Sequence, residues 1–247
     1  MTARLILAVT LLMSLLASFD GARGVPARAR AMDRLPRVVL WAWERPVDLR
    51  DLPPEVGVAF LAQTITSTAR ASIVTSRRQP LQVGAATPLI AVTRIETPGG
   101  DAADGQIGDI ARAIAGTAAL PRVSAVQVDF DASLSQRPMY RQLLHAIRRE
   151  LPRDMPLSIT ALASWCMQDD WLDDLPIDEA VPMLFRMGSG EEAGPRLRLS
   201  APACAGALGT SLDEPMRAPV AGRRVYVFNA RPWTDASIAA ARGRATP

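Results

Sequence analysis

The chain has 247 residues, is 49% hydrophobic and carries a formal net charge of +3. All 28 basic residues are arginine, which excludes lysine nucleophiles, Schiff-base chemistry and the phosphate-binding lysine of a P-loop. His145 is the single histidine. A Ser-His-Asp triad and a histidine-rich metal site are therefore disfavoured, and any acid–base catalysis falls to carboxylates.

The N-terminus has the order of regions found in secretory signals. Arg4 precedes the apolar run 5–17, and polar and small residues follow. We expect residues 1–31 to be a signal peptide with a short polar leader, cleaved near Ala22 or after Ala29 or Ala31. The chain would then be periplasmic or secreted, with no membrane span in its mature form. An uncleaved anchor is the alternative, although the run is short for a span.

Residues 33–247 are expected to form one domain built on buried parallel strands. Such strands are continuous apolar runs rich in β-branched residues. Eight segments fit this description, at residues 37–43, 57–64, 89–95, 125–130, 157–161, 179–185, 205–209 and 224–229. The seventh has the weakest strand signal, because it is rich in Ala and Gly.

Helical spacing of apolar residues occurs between some of these strands. It predicts helices at 106–118 and 138–151, with a closing helix at 236–242. His145 lies off the apolar stripe of the second helix, which predicts a solvated position. Residues 72–82 are predicted to form a hairpin instead. Together these elements predict an α/β fold, a compact (β/α)8 TIM-barrel-like domain in which some helices are short or missing.

The fourth predicted strand ends in carboxylates on one face. Side chains alternate along a strand, so Gln127, Asp129 and Asp131 point away from Val126 and its apolar neighbours. Acids on a core strand are unfavourable unless they are paired, hydrated or used, and α/β barrels place catalytic groups at the carboxyl ends of strands. We therefore predict Asp129 and Asp131 to be catalytic. Glu96 or Glu44, at other strand ends, would be the opposing carboxylate.

The remaining strand ends supply side chains suited to a sugar. Tryptophan stacks on sugar rings, while Arg, Asn and Gln donate to hydroxyls and carboxylates. The predicted substrate-binding residues are Trp41, Trp43, Arg94, Gln127, Trp165, Arg186, Asn229 and Trp233. The alternative is that these residues form structural ion pairs, loop caps and core packing.

Other partners are expected to be absent. The arginines are scattered rather than grouped into a stripe interleaved with aromatic residues, so we expect no nucleic-acid partner. We expect no cofactor and no metal, since Cys166 and Cys204 match no zinc-ligand spacing. Those two cysteines either form one disulfide in an oxidising compartment or are small buried hydrophobic residues, and the sequence leaves both alternatives open.

Four blocks of the sequence resemble those of a known group of proteins. They span residues 38–44, 126–131, 157–166 and 178–188. They are similar to blocks of a secreted bacterial family known only by a domain-of-unknown-function label. The resemblance covers most of the chain after the signal segment, and it brings no established activity.

The fourth and sixth strands also show a weaker likeness to the chitinase-type glycoside hydrolases. In that family the fourth strand ends in Asp-x-Asp-x-Glu, whose last residue is the general acid, and the sixth carries Met-x-Tyr-Asp. The likeness implies that Asp131 is the acid and Asp129 the assisting carboxylate. This chain departs at Gln127, at the shorter Asp131, and at Phe185-Arg186 in place of Tyr-Asp.

The sequence thus predicts an exported, glycoside-hydrolase-like protein that acts on or binds a bacterial or environmental glycan. In the enzymatic version, one of two adjacent carboxyls stays protonated and donates to the glycosidic oxygen. The alternative is a non-catalytic glycan-binding envelope protein on a degenerate barrel.

Overall fold

The computed structural model describes residues 27–98, 104–167, 169–187 and 197–245. The predicted signal segment up to residue 26 lies outside the described residues. Within the described ranges, no helix combines the length and the apolar character needed to cross a membrane.

Eight parallel strands close into a TIM-barrel-like domain, as the sequence predicts. The barrel order is β1-β3-β6-β7-β8-β9-β10-β11, and it closes because β1 pairs in parallel with both β3 and β11. All eight predicted barrel strands are confirmed. In chain order the strands are β1 (Val38–Ala42), β2 (Val47–Leu49), β3 (Val56–Ser67), β4 (Ser72–Ser76), β5 (Leu81–Val83), β6 (Leu89–Glu96), β7 (Val123–Asp129), β8 (Leu157–Leu162), β9 (Glu179–Met183), β10 (Ala207–Ser211) and β11 (Arg224–Phe228).

Helices cover only part of the barrel, which confirms the expectation of short and missing helices. The three predicted helices are present, and two shorter ones precede β1 and follow β8. In chain order the helices are α1 (Ala27–Asp33), α2 (Ile107–Gly116), α3 (Arg137–Glu150), α4 (Ala163–Met167) and α5 (Asp235–Arg244). The buried faces of α2 and α3 follow the predicted apolar spacing, and His145 is exposed on α3.

The predicted hairpin at 72–82 is wrong. Its first half, β4, pairs antiparallel with the extended end of β3, in the register Ile65↔Val74. Its second half, β5, pairs in parallel with β2, in the register Val47↔Leu81. Both halves have strand-like sequences. However, β4 pairs with the extended end of β3, which precedes it in the chain, and β5 pairs with β2. Strand propensity identified the two segments and could not identify their partners.

Alternation along the strands separates the barrel interior from the outer core. Val39 and Trp41 of β1 belong to one apolar cluster with residues of the other strands, whereas Val38 and Leu40 belong to another. On β7, Val126 and Val128 pack against the α2 and α3 side. Gln127 and Asp129 therefore lie on the interior face, as the alternation predicts.

The weak strand signal of β10 has a packing cause. A Cβ atom on Gly209 would lie 2.9 Å from Cη2 of the Trp41 indole. The indole reaches from β1 to β10, two strands away around the barrel, so β10 must leave out a side chain at this position. A residue that lowers strand propensity is thus required by the volume of its neighbour.

A disulfide and the contacts of α1 link distant parts of the domain. A disulfide between Cys166 of α4 and Cys204 joins segments 38 residues apart in sequence. At the amino end of the barrel, Arg28 of α1 donates to Asp178 at 2.7 Å, and the Met32 carbonyl accepts from Arg224 at 2.6 Å. The folded domain therefore includes residues before the predicted boundary at 33.

We predict that the disulfide contributes substantially to stability. A Cys166→Ser, Cys204→Ser double variant should unfold with a free energy lower by about 2–4 kcal/mol, because the unfolded chain regains the freedom of a long loop. A urea titration of the variant and of the reduced wild type should give matching losses. Two thiols that alkylate freely in the native, oxidised protein would contradict the prediction.

Candidate functional site

A cavity of about 710 Å³ opens at the carboxyl end of the barrel. Five predicted site residues line it: Trp43, Arg94, Asp129, Asp131 and Arg186. Residues that the sequence did not single out as site candidates also line it, among them Arg45, Ser164, Met183, Phe185 and Phe228. The wall therefore combines acids, arginines and aromatic rings, and it lies where α/β barrels place their functional groups.

Asp129 is the fixed carboxylate of the cavity. Its side chain is only 3% exposed, and both of its oxygens are bound. Oδ2 accepts from Nη1 of Arg94 at 2.7 Å, and Oδ1 accepts from the Thr160 hydroxyl at 2.7 Å. Both hydrogen bonds are short and are made to a carboxylate. They offset the free-energy cost of burying the Asp129 side chain.

Arg94 links Asp129 to the outer rim. Its Nε lies 3.2 Å from Oε1 of Glu96, whose side chain is about half exposed. Burial alone would lower the pKa of Arg94, but the charge and hydrogen bond of Asp129, the hydrogen bond of Glu96 and the charge of Asp131 raise it. Glu96 is thus a partner of Arg94 and does not line the cavity.

Asp131 is the acid that remains available. It follows β7 at the mouth of the cavity and makes no ion pair within the part of the chain that the structure describes. Its pKa is raised, first because the rim removes water from its carboxyl and second because of the negative charge of Asp129, against an opposing contribution from Arg94. Two neighbouring carboxyls with different environments suit one proton donor and one electrostatic partner.

Arg77 and Glu44 fix the loop after β1 on the side away from the cavity. The Arg77 guanidinium donates to the carbonyls of Trp43 at 2.8 Å and Arg45 at 2.6 Å. The Glu44 carboxylate accepts from the backbone N–H groups of Arg78 and Gln79 at 3.0 and 2.9 Å. Glu44 therefore fixes the loop and does not line the cavity. The loop in turn sets Trp43 and Arg45 in the cavity wall.

Arg186 lies on the side contributed by β9 and β11. Its guanidinium is 4.8 Å from the centroid of the Phe228 ring, which stacks on Phe185 at 5.4 Å. Its backbone has φ of 53°, and its N–H donates to the Glu214 carboxylate at 2.9 Å. A non-glycine residue in this region is uncommon and needs such a contact to hold it.

Two predicted binding residues fill the barrel instead of lining the cavity. Trp41 is 3% exposed, and its indole N–H donates to the Gln127 side-chain oxygen at 3.0 Å. Gln127 donates in turn to Ser158 at 3.1 Å. Below them Glu179 accepts from the Tyr226 hydroxyl at 2.8 Å and pairs with Arg224. Burial raises the pKa of Glu179, and the partners oppose that rise.

Three other predicted binding residues lie outside the cavity wall. Trp165 is 2% exposed in the outer core, 4.8 Å from the ring of Trp171. Asn229 accepts from the Arg231 N–H at 3.1 Å and so shapes the loop after β11. Trp233 donates to the Trp41 carbonyl at 3.1 Å. Their contacts are those of packing and loop positioning.

Two further residues near the cavity follow from strand alternation in the sequence, Thr160 and Phe228. Thr160 shares a face with Ser158 on β8, and Phe228 shares a face with Tyr226 on β11. Both faces point into the barrel. Both residues also lie in the carboxyl-terminal half of their strands, so they fall near the carboxyl end of the barrel. Within the described ranges, no group of three or more His, Cys, Asp or Glu side chains has the arrangement of a metal site.

Comparisons with protein-family models, with curated proteins and with solved structures found no match to this chain. The two resemblances drawn from its sequence blocks stay predictions. The case for a function therefore rests on the fold and on the geometry of the cavity.

We predict that replacing Asp129 lowers the stability of the domain and that replacing Asp131 does not. Asp129→Asn should lower the free energy of unfolding by about 1–3 kcal/mol, because Arg94 and Thr160 lose a matched buried acceptor. Asp131→Asn should not lower it at pH 7. The raised folded pKa of Asp131 means that its ionisation disfavours the folded state as pH rises above the unfolded value of 3.8.

Urea titrations of both variants at pH 7 and below pH 4 would measure these effects. Asp154→Asn, at an exposed position before β8 at the other end of the barrel, is the matched control. Equal destabilisation by Asp131→Asn and Asp129→Asn would show that both carboxyls are structural.

Proposed function

We propose that this protein is glycoside-hydrolase-like, with a glycan bound in the cavity and Asp131 as its proton donor. The observation that supports this most is the unequal pair at the end of β7. Asp129 is buried with both oxygens bound, while Asp131 faces the cavity with a raised pKa. Such a pair suits protonation of a leaving oxygen beside a fixed negative charge.

In the proposed reaction, the Asp131 carboxyl transfers its proton to the glycosidic oxygen as the bond from that oxygen to the sugar carbon breaks. The negative charge of Asp129 stabilises the positive charge that develops on the sugar. Asp129 acts through its charge, because Arg94 and Thr160 occupy both of its oxygens. A water then attacks the sugar carbon and returns a proton to the Asp131 carboxylate.

The composition of the wall supports a sugar as the ligand. Trp43, Phe185 and Phe228 offer aromatic surface, and Arg45 and Arg186 offer donors. Sugars present an apolar ring face with hydroxyls around its edge, so they need both kinds of group in one site. A volume of about 710 Å³ is in the range of small-ligand sites.

A second candidate is a glycan-binding protein without turnover. It is favoured by the position of the acids, since Asp129 and Asp131 come from the end of one strand. Glu96 and Glu44, the predicted opposing carboxylates, are bound to Arg94 and to backbone N–H groups outside the cavity wall. Hydrolases with two catalytic carboxyls place them on opposite sides of the bond.

We also propose export to the periplasm or the medium. The signal-like order of residues 1–31 supports it, and so does the Cys166–Cys204 disulfide. Disulfides persist in oxidising compartments and are rare in the bacterial cytosol.

If Asp131 is the proton donor, Asp131→Asn should lower the rate of glycan cleavage by about a hundred- to ten-thousand-fold. Its raised pKa predicts that wild-type activity falls as pH rises through that value, because the donor loses its proton. The measurement is a screen of the processed protein against peptidoglycan fragments and bacterial exopolysaccharides, scored for both binding and cleavage.

Asp154→Asn is again the control, and it should leave cleavage unchanged. Unchanged turnover in a folded Asp131→Asn variant would reject the donor role. Binding without cleavage by the wild type would favour the second candidate. Failure of the wild type to bind any glycan would reject both.

We predict that signal cleavage occurs before Ala27. A cut after Ala29 or Ala31 would remove Arg28 and its contact with Asp178, and it would shorten the helix that covers the amino end of the barrel. A cut near Ala22 keeps both. N-terminal sequencing of the processed chain tests this, and a first residue at Arg28 or later would contradict it.

A further inference from the structure

We infer that the cavity contains an anion subsite, formed by Arg186 and Arg45, that binds the carboxylate of an acidic sugar. The inference deepens the proposed glycan function and rests on it. It names the class of glycan, one built from uronic acids or from other sugars that bear a carboxylate.

The charges in the cavity wall are unequal. Three arginines line it, Arg45, Arg94 and Arg186, together with Asp129 and Asp131. Arg94 and Asp129 pair with each other at 2.7 Å. Within the described residues, neither Arg45 nor Arg186 forms an ion pair with a carboxylate. Among the lining residues the arginines outnumber the acids by three to two, with the carboxylates of Glu96 and Glu214 bound behind Arg94 and Arg186. Two arginines that face the cavity without an ion pair favour an anionic ligand.

Lacking a carboxylate partner does not by itself distinguish Arg45 and Arg186, because most arginines of the described ranges form no ion pair; their position in the cavity wall does. Eight arginines of the described ranges, Arg94 among them, form ion pairs with Asp or Glu, including pairs at exposed positions such as Arg50–Asp48 and Arg242–Glu55. Arg45 and Arg186 instead face a concave site. The donors that they direct into that site have no carboxylate partner among the described residues.

Each of the two arginines is held in place by other contacts. Nη1 of Arg45 donates to the Ala230 carbonyl at 2.8 Å, which leaves the rest of its guanidinium fork free for other acceptors. Arg186 is held at positive φ by the Glu214 contact and lies over Phe228. An arginine fixed over an aromatic ring keeps its in-plane N–H groups available for a carboxylate.

Calorimetry on the full processed protein at pH 7 would test the subsite. The probes are oligosaccharides of galacturonate, of alginate and of hyaluronan, each paired with its own carboxyl methyl ester. We expect at least one acidic form to bind more tightly than its ester by about ten- to a hundred-fold, the range for a hydrogen-bonded charged group. Arg186→Gln should remove that difference, and Arg186→Lys should keep part of it.

Arg153→Ala is the matched control, since Arg153 is exposed before β8 at the opposite end of the barrel. It should bind as the wild type does. Equal binding of every acid and its ester, or a preference unchanged in folded Arg186→Gln and Arg45→Gln variants, would overturn the subsite and leave the glycan function standing. No binding of acidic or neutral glycans would overturn both.

Discussion

The buried carboxylate of Asp129 is the constraint on which the mouth of this barrel depends. A charge that is 3% exposed must be matched by donors, and Arg94 and Thr160 match both of its oxygens. Those contacts fix the ends of three neighbouring strands, β6, β7 and β8. Partial burial and then the negative charge of Asp129 raise the Asp131 pKa, while Arg94 opposes that rise. The carboxylate that fixes three strand ends thus also affects the protonation of the residue two positions along.

Side chains fill the barrel interior below Asp129 and Arg94, and this sets the floor of the cavity. Trp41 fills the centre of the barrel, and Gly209 makes room for its ring. Gln127 binds the indole and passes the hydrogen bonding to Ser158, while Glu179 is satisfied by Arg224 and Tyr226. The centre of the barrel is packed and its polar groups are paired, so the space lies at the two ends: about 710 Å³ at the carboxyl end, and about 380 Å³ beside Glu179 and Arg224 at the amino end.

Local sequence determines much of this fold, and distant contacts determine the rest. The eight barrel strands, the acids on β7 and the α2 and α3 faces follow from apolar runs and alternation, so they were predictable. The partners of β4 and β5 were not, because strand propensity does not encode pairing. Trp165 and Trp233 were misplaced relative to the cavity for a similar reason. A tryptophan near a strand end is equally suited to core packing, and its surroundings decide between the two.

The same distinction applies to the charged residues of the mouth. Glu44, Glu96 and Asp129 were all acids near strand ends, and each is bound by protein donors. Sequence position cannot separate an acid that holds a loop from one that faces a cavity. The number of protein donors bound to its carboxylate can. By that criterion Asp131 is the acid left facing the cavity, and Arg45 and Arg186 are the arginines of the cavity wall that form no ion pair with a described carboxylate. Asp131 and Arg186 are exposed and line the cavity, so their charges are open to a ligand there, whereas a charge that is buried is normally paired within the protein.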